Sequence, residues 1–458
     1  MRKIVFFLAL VFLTTMCKNA KQETTETTEV TKIELKAAPE WSKNANIYEV
    51  NLRQYTPEGT IEAFKAHMPR LRAMGVDILW FMPIHPVGEV NRKGSMGSPY
   101  AVKDYKAVNP DYGTMEEFKT LVAEAHEMGF KVIIDWVANH SAFDSNWWTP
   151  ENTGWYKLNE NGEQIHPEGT DWTDVAWLDY ENQDMRAAMI DALEYWVLEA
   201  DIDGYRCDVA GMVPKDFWQN AISNLHEIKH VFMLAEADEP WLHEGGFHMS
   251  YGWGFHHVMN HVAQGKSHVA AIDTFLMEDS EKYQPEDYRM NFTTNHDENT
   301  WNGTIEERLG GLGDAMNVLA FTVQGMPLIY SGQEAGLNKR VSFFEKDTID
   351  FTEISKETFY TTLLKLKHDN EAIWNGTYGA PATKITTSNR EAIYAYERTK
   401  GENKVIVLLN LSDKEQSFNL LDYKGGTKMK DVFSDVEVDL GNKKSFTLGA
   451  GGYLVLAK

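Results

Sequence analysis

The chain has 458 residues, 43% of them hydrophobic and 24% charged, and its 68 acidic and 44 basic residues give a formal net charge of −24. This length and composition suit a globular protein with a large core and more than one domain. Binding to nucleic acid is disfavoured, because neutralising phosphates requires a basic surface and no Lys/Arg-rich run is present. We therefore expect an uncharged or cationic ligand.

The first forty residues are predicted to lie outside the fold. Arg2 and Lys3 precede the apolar run 4–13 (IVFFLALVFL), which has the charge and length of a secretory signal and is too short to span a membrane. We predict a signal peptide over residues 1–16. Residues 17–40 are polar and free of aromatic residues, as expected of a flexible tether.

The end of the apolar run, Leu13-Thr14-Thr15-Met16-Cys17, resembles a bacterial lipoprotein signal. The resemblance implies lipidation of Cys17 and an exported protein anchored to the outer membrane, on its periplasmic or cell-surface side. Contact with the membrane is expected only through this anchor. If Cys17 is an ordinary residue, export is still expected but the anchor is not.

From Trp41 onward, predicted strands alternate with predicted amphipathic helices. The predicted strands are 47–54, 76–83, 131–137, 202–208, 231–236, 290–295 and 328–330, with a weaker one at 247–253. The predicted helices are 61–74, 115–128, 184–200, 215–228 and 314–324. Several strands are continuous apolar runs, as in a parallel sheet covered on both faces. The pattern predicts an α/β fold, a (β/α)₈ TIM barrel over 41–140 and 182–375.

Two regions depart from this alternation. Residues 141–181, after the third predicted strand, are rich in Trp, Asn and Gly and predict a short excursion (B) domain. Residues 376–458 contain short apolar runs separated by Gly, Asn, Asp and Ser turns, which predict a C-terminal antiparallel β-sandwich.

Four of the predicted strands end in segments with charged or polar groups, each with an acidic residue: IIDWVANH (133–140), GYRCDVAG (204–211), VFMLAEAD (231–238) and FTTNHDEN (292–299). One such end taken alone is more often the start of a loop. Catalytic side chains of TIM barrels lie at the carboxyl ends of the strands, so the four together predict that Asp208, Glu236 and Asp297 converge on one mouth. Alternation along a strand places Arg206 on the same face as Asp208.

Three carboxylates without a serine triad or a metal cluster favour glycoside hydrolysis. In that reaction one carboxylate attacks the sugar and a second, protonated, releases the leaving oxygen. We expect Arg206 to keep Asp208 ionised, and the apolar residues before Glu236 to favour its neutral acid form. For the Arg206–Asp208 pair alone, a buried structural salt bridge is the alternative.

The four segments resemble, in order, the four signature regions of the alpha-amylase family of glycoside hydrolases (family 13). NIYEVNLRQY (46–55), ILWFMPIHPVG (78–88) and GMPLIYSGQEAG (325–336) resemble the first, second and eighth barrel strands, so the resemblance covers most of the chain.

The resemblance implies a role for each strand-end residue. Asp208 would be the nucleophile, Glu236 the general acid/base, and Asp297 the carboxylate that grips ring hydroxyls and favours a distorted sugar. The implied substrate-binding residues are Arg206, His140, His296 and Tyr100. The implied reaction retains anomeric configuration.

The sequence departs from the family after the nucleophile, where many alpha-amylases carry Lys-His and this chain has Gly211 and Met212. The departure weakens the prediction of an endo-acting alpha-amylase and that of calcium. Asn139 and Asp179 do match calcium-ligand positions of the family, but calcium takes six to eight oxygen ligands. A structural calcium ion at these two residues therefore stays open, while the chemistry itself is expected to need no cofactor.

We expect a retaining hydrolase that cleaves α-1,4-glucosidic bonds of starch, maltodextrins or related α-glucans through a covalent glycosyl-aspartate intermediate. The alternatives are a transglycosylase, a cyclodextrin-cleaving enzyme or an α-glucosidase of the same family. A catalytically silent glucan-binding lipoprotein is disfavoured, because all three carboxylates are present. Five tryptophans of the excursion either form sugar platforms or pack the small domain: Trp147, Trp148, Trp155, Trp172 and Trp177.

Overall fold

The computed structural model of the protein describes residues 35–421, 423, 425 and 428–458. The predicted signal peptide, the lipidation site at Cys17 and most of the tether lie outside the described residues, and they stay predictions. Among the described residues, no helix combines the length and apolar character that crossing a bilayer requires.

Within residues 47–330, eight parallel strands close into a barrel, which confirms the predicted TIM barrel. In chain order, the strands of this part of the chain are β1 (Ile47–Val50), β2 (Ile78–Phe81), β3 (Lys131–Trp136), β4 (His140–Ala142), β5 (Val175–Trp177), β6 (Gly204–Cys207), β7 (Phe232–Ala235), β8 (Met249–Tyr251), β9 (Tyr288–Asn291) and β10 (Met326–Tyr330). The barrel omits β4 and β5, and β10 pairs with β1 to close it.

Helices cover the outside of the barrel. In chain order they are α1 (Leu52–Tyr55), α2 (Ile61–Lys65), α3 (Met68–Met74), α4 (Met115–Glu127), α5 (Gln183–Ala200), α6 (Lys215–Ile228), α7 (Trp241–Glu244), α8 (Trp253–Ala263), α9 (Ala271–Lys282), α10 (Ile305–Leu309), α11 (Gly313–Thr322) and α12 (Glu357–Asp369).

Two predicted elements near the amino end differ from the structure. The predicted helix 61–74 is two helices, because the chain turns before Pro69, which lies in the first turn of α3. Proline is tolerated in a first turn and breaks a helix interior. The predicted strand 47–54 ends at Val50, and its remainder forms the short helix α1.

The barrel strands bury both of their faces, as their apolar runs predict. Ile47, Ile78 and Ile133 lie in the cluster that fills the barrel interior, together with Trp80. Alternate residues such as Leu79 belong to the larger cluster between the strands and the helices. This alternation directs Arg206 inward, between the outward-facing Tyr205 and Cys207.

The C-terminal region forms an antiparallel sheet domain, as predicted. Its strands are β11 (Thr383–Lys384), β12 (Ile393–Lys400), β13 (Asn403–Asn410), β14 (Gln416–Asn419), β15 (Lys428–Asp431), β16 (Glu437–Asp439), β17 (Ser445–Leu448) and β18 (Tyr453–Ala457). One layer has the order β11-β12-β13-β18-β15-β16, and β14 and β17 form the other. Phe418 and Phe446 of the smaller layer share an apolar core with Ile406 of the larger.

The amino-terminal segment lies against the end of the barrel opposite the mouth. The rings of His248 and His230 hydrogen-bond the carbonyls of Lys36 and Ala37, at 3.2 and 2.8 Å. Ring nitrogens of these two histidines and His226 lie within 4.8 Å of one another, a spacing that suits a metal ion. The second nitrogen of His248 accepts a backbone N–H of β7 at 3.0 Å, so both of its nitrogens are used. We assign the cluster to docking this segment.

The buried guanidinium of Arg398 joins the C-terminal sheet to the barrel. It donates hydrogen bonds to the carbonyls of Thr322 and Val323, at 3.1 and 2.9 Å, and to those of Trp374 and Ala380, at 3.1 and 2.5 Å. Four carbonyls from two stretches of the chain, 322–323 and 374–380, therefore depend on one side chain.

We expect Arg398→Met to lower the free energy of unfolding by about 3 kcal/mol, because it leaves buried carbonyls without donors. Chemical denaturation measures this change. Arg390→Met, at an exposed position of the same domain, serves as the control and is expected to stay within about 0.5 kcal/mol of the parent. Equal stabilities of the two variants would contradict the role assigned to Arg398.

Candidate active site

A cleft of 490 Å³ opens at the carboxyl ends of the barrel strands. Its lining includes the three carboxylates predicted from sequence, Asp208, Glu236 and Asp297. It also includes three of the predicted substrate-binding side chains, Tyr100, His140 and His296. Arg206 lies beneath the cleft and is fully buried. The structure thus brings together every residue that the sequence predicts to be catalytic or substrate-binding.

Hydrogen bonds between neighbouring barrel strands fix the positions of Asp208 and Glu236 along the barrel axis. Each follows its strand by one residue, and its backbone N–H still donates to the neighbouring strand, from Asp208 to the carbonyl of Trp136 and from Glu236 to that of Cys207, both at 2.9 Å. The barrel register therefore continues through both residues. Their carboxylates leave adjacent strands at the same level and face one guanidinium.

Arg206 holds three carboxylates and one phenol. Its Nη1 donates to Asp135 Oδ1 at 2.8 Å and to Asp208 Oδ1 at 3.2 Å. Its Nη2 lies 2.7 Å from Glu236 Oε1 in an ion pair that lacks hydrogen-bond geometry, and its Nε donates to Tyr251 Oη at 3.1 Å. The arginine is therefore the shared counter-ion of a cluster, and the isolated salt bridge considered from sequence does not describe it.

This arrangement corrects the expectation that Arg206 keeps Asp208 ionised. Burial and the charge of Glu236 outweigh Arg206 and raise the pKa of Asp208 well above its usual range. The sequence-based expectation assigned Arg206 to Asp208 alone and apolar surroundings to Glu236. In the structure the guanidinium contacts both carboxylates, so Arg206 is not the counter-ion of Asp208 alone.

Val209, which follows Asp208 in the chain and contacts Glu236, has a strained backbone. Val209 has φ 37° and ψ 46°, the left-handed region that β-branched residues rarely adopt, at a cost of about 1–2 kcal/mol. Its backbone N–H donates to Glu236 Oε2 at 2.9 Å. The strained turn thus supplies the hydrogen bond that orients the Glu236 carboxylate toward the cleft.

Asp297 occupies the opposite wall and is the most exposed of the three carboxylates, at 34% of its side chain. Its Oδ1 accepts the indole N–H of Trp301 at 3.1 Å, and its Oδ2 lies 3.3 Å from His296 Nε2. Burial opposes protonation of the His296 imidazole, but the charges of Asp297 and Glu49 outweigh it and raise its pKa to about 9.

Tyr100 connects the two walls. Its hydroxyl donates to Asp135 Oδ2 at 3.0 Å and lies 2.8 Å from His296 Nε2. One face of its ring stacks near His296, and Phe343 lies parallel to it with centroids 6.1 Å apart. Tyr100 therefore lines the cleft within a fixed aromatic stack, in a position compatible with the predicted sugar contact.

His140 is a neutral residue of the cleft. Burial lowers its pKa to about 3. Its Nδ1 lies 3.2 Å from the side-chain nitrogen of Asn139, and its Nε2 lies 3.9 Å from Asp208 Oδ2. With Asn139 donating to Nδ1, the ring proton resides on Nε2, which places a hydrogen-bond donor beside Asp208.

The residues predicted to bind calcium fit the ion only in part. Asn139 Oδ1 is buried and has no hydrogen-bond partner among the described residues, so this oxygen is available to an ion. The carboxylate of Asp179, however, pairs with the ammonium of Lys157 at 2.7 Å and accepts a backbone N–H of Glu181 at 3.0 Å. A cation already neutralises the only charged member of the pair, so this donor set does not fit calcium.

The structure also resolves the two roles left open for the excursion tryptophans. Trp147 packs against Tyr105 and Trp155, with centroid distances of 4.4 and 5.5 Å, and Trp148 packs against Tyr156 at 5.4 Å. Trp172 alone among the five lines the cleft. Packing is therefore the main use of these residues.

Four residues of the site are not predicted from the sequence: Glu49, Asp135, Tyr251 and Trp301. Asp135 could have been predicted, because it lies in the same strand-end segment as His140. It is also two residues after Ile133, so its side chain faces the barrel interior as that of Ile133 does. Trp301 could not have been predicted in this way, since a five-residue π-helix, Glu298–Asn302, directs its indole back onto Asp297.

A closed (β/α)₈ barrel whose mouth gathers three carboxylates around a buried arginine defines the class of barrel glycoside hydrolases. Residues 21–377 match the family described as "Alpha amylase, catalytic domain", and residues 383–455 match "Maltogenic Amylase, C-terminal domain". The chain therefore belongs to the alpha-amylase family.

Named relatives agree with this assignment. The chain is 26% identical over 411 residues to the alpha-amylase MalA of Haloarcula japonica, covering 86% of this chain and 59% of that protein. It is 23% identical over 454 residues to a cyclomaltodextrinase of Thermoanaerobacter pseudethanolicus, covering 86% and 75%. It superposes on the maltogenic alpha-amylase AmyB of Thermotoga neapolitana with a TM-score of 0.81 and 29% identity, covering 91% and 99%.

Asp135 generates a prediction about pH and stability. Burial raises its pKa to about 6 against the opposing charge of Arg206, so the folded state holds its proton more tightly than the unfolded state. Its contribution is therefore full below about pH 4 and is lost as pH rises through about 6. We expect Asp135→Asn to flatten the decline in unfolding free energy over this interval, measured by denaturation at each pH. Parallel curves for both proteins would contradict this prediction.

Proposed function

We propose that the protein is a retaining glycoside hydrolase that cleaves α-1,4-glucosidic bonds of α-glucans. The observation that carries the proposal is the pairing of Asp208 and Glu236 across one buried guanidinium, level with each other at the mouth of the cleft. Retaining enzymes need two carboxyl groups close enough to share one anomeric centre. The named amylase and cyclomaltodextrinase relatives support α-glucans as the substrate class.

The proposed reactive form has Asp208 ionised and Glu236 protonated. In the first step an Asp208 oxygen attacks the anomeric carbon and forms a glycosyl ester. The carbon–oxygen bond to the leaving sugar breaks, and Glu236 gives its proton to the departing oxygen. In the second step Glu236, now a carboxylate, takes a proton from water, and the hydroxide oxygen displaces Asp208. The proton has then returned to Glu236, and one water has been consumed.

The surrounding residues support the charge changes of these steps. Arg206 stays in contact with both carboxylates while the negative charge moves from Asp208 to Glu236. Asp297 and His296 form a polar wall that can hold sugar hydroxyls. Trp172, Trp301 and Phe344 line other parts of the cleft, and flat aromatic faces suit the apolar faces of glucose rings.

Transglycosylation is the second candidate function. The chemistry is identical until a sugar hydroxyl, rather than water, attacks the glycosyl ester. The apolar walls favour it, because half-exposed Trp301 and its neighbours Phe343 and Phe344, with centroids 5.3 and 5.9 Å away, offer a surface for an acceptor sugar.

We expect Asp208→Asn and Glu236→Gln each to reduce turnover of soluble starch by at least about 10³-fold, because each removes a group that reacts directly. Initial rates with purified proteins measure this, and circular dichroism checks the fold. Glu306→Gln, at an exposed position of α10, is the matched control and is expected to keep the parent rate. A folded Asp208→Asn variant that retains activity would refute the proposed nucleophile.

Product analysis on soluble starch, maltotriose and a cyclodextrin separates the candidates. Hydrolysis gives shorter oligosaccharides alone, whereas transglycosylation also gives products longer than the maltotriose supplied. Glucose released alone from chain ends would instead indicate an α-glucosidase.

The Lys157–Asp179 ion pair generates a further prediction. We expect a calcium chelator to leave the melting temperature and the rate of starch cleavage unchanged, because the lysine already supplies the positive charge at Asp179. Differential scanning calorimetry with and without the chelator measures this. A fall of several degrees that added calcium reverses would show that an ion is bound.

A further inference from the structure

A buried carboxylate outside the three strand-end acids contacts the site from below. Glu49 lies in β1, its side chain is fully buried, and its Oε1 is 2.5 Å from His296 Nδ1. Its Oε2 is also buried and has no hydrogen-bond partner in the part of the chain that the structure describes. Within the described residues, the imidazole of His296 is thus the only hydrogen-bond partner of the Glu49 carboxylate. An acid with one oxygen unpaired is costly to bury, so it requires an explanation.

The hydrogen bonds around His296 determine where its protons are. The Tyr100 hydroxyl donates its proton to Asp135 Oδ2 at 3.0 Å, so the Tyr100 oxygen can only accept from His296 Nε2 at 2.8 Å. His296 Nε2 therefore carries a hydrogen. The Nδ1 of His296 faces the Glu49 carboxylate. When Glu49 is ionised, it accepts a hydrogen from Nδ1, which is the second hydrogen on the ring. Both ring nitrogens are then protonated and the ring is a cation.

We propose that Glu49 is a positioning residue that holds His296 as an imidazolium at the sugar site, with its Nε2–H donated to the Tyr100 hydroxyl beside Asp297. This rests on the proposed function of the cleft. Through His296, Glu49 would help to bind the sugar whose bond is cleaved, without touching it. The acid below the ring fixes its orientation from Nδ1, and the positive charge strengthens the hydrogen bond given from Nε2.

The other charged groups that act on His296 are the next residue in the chain, Asp297, and two residues of β3 and β6, Asp135 and Arg206. Asp297 lies 3.3 Å away and favours the cation, as does Asp135 behind Tyr100, whereas Arg206 opposes it. Burial also raises the pKa of Glu49. The competing state is therefore a neutral acid hydrogen-bonded to a neutral imidazole, and the experiment must distinguish it from the ion pair.

The test is ¹⁵N NMR of protein labelled at histidine, which reports the protonation of each ring nitrogen without requiring turnover. In the parent protein we expect the His296 signals to remain those of an imidazolium up to about pH 9. Glu49→Gln keeps an acceptor for Nδ1–H but removes the charge, and should lower the midpoint by about one to three pH units. A neutral ring at pH 7 in the parent, or equal midpoints in both proteins, would overturn the proposal.

Kinetics provides the second readout. Below the lowered midpoint, where the ring is a cation in both proteins, the deficit of Glu49→Gln relative to the parent should be smallest. Above it, KM should rise several-fold more than kcat falls, because Asp208 and Glu236 are unchanged. A merely structural role would lower activity equally at all pH values. If no α-glucan is cleaved by the parent, the proposed function fails while the NMR result still decides the role of Glu49.

Two further variants guard against a trivial loss of folding. Glu49→Asp retains the charge and is expected to restore the imidazolium even where its shorter side chain weakens stability. Glu334→Gln removes another fully buried carboxylate, bonded to Tyr48 and Arg70 just beyond β10, and should leave the His296 titration unchanged. A shift of the His296 midpoint in Glu334→Gln equal to that in Glu49→Gln would also contradict the proposal.

Discussion

The site depends on one buried positive charge, the guanidinium of Arg206. Without it, Asp135, Asp208 and Glu236 would be three carboxylates at one barrel mouth with no cation in direct contact, because His140 is held neutral by burial. Removing one partner of a buried ion cluster leaves uncompensated charge and is strongly destabilising. The planar fork of arginine suits this position, since it meets separate carboxylates with separate nitrogens, which a single ammonium cannot do.

The closed barrel is what makes one guanidinium sufficient. β3, β6 and β7 are neighbours in register, with Asp135 paired to Arg206 and Arg206 paired to Leu234. Inward-facing residues of adjacent strands therefore lie at matched heights, and Asp208 and Glu236 extend that register by one residue. Closure through β10 and β1 brings Glu49 below His296, although 247 residues separate them. Sequence distance has little bearing on contact in such a mouth.

The sequence predicts the parts of the site that depend on local pattern. Apolar runs ending in acidic residues mark β6 and β7, and two-residue alternation places Arg206 and Asp208 on one face. The sequence does not predict which carboxylates share the arginine, since that depends on how strands pair around the barrel. Helix α8 also escaped prediction, because its sequence WGFHHVMNHVA mixes histidine and tryptophan with aliphatic residues and lacks a clean polar face. The sequence does not predict the strained backbone of Val209. The hydrogen bond from its N–H to Glu236, at the end of the neighbouring strand, explains the strain.

The barrel mouth contains more carboxyl groups than cations. Two cations, Arg206 and His296, contact five carboxyl groups, those of Glu49, Asp135, Asp208, Glu236 and Asp297. Full ionisation would leave three uncompensated negative charges in a largely buried volume, which disfavours it. In the proposed mechanism, crowded carboxyl groups would then supply the proton for leaving-group departure. An apolar pocket around Glu236 is not required, and the same crowding explains why burial and Glu236 together raise the pKa of Asp208 despite the adjacent arginine.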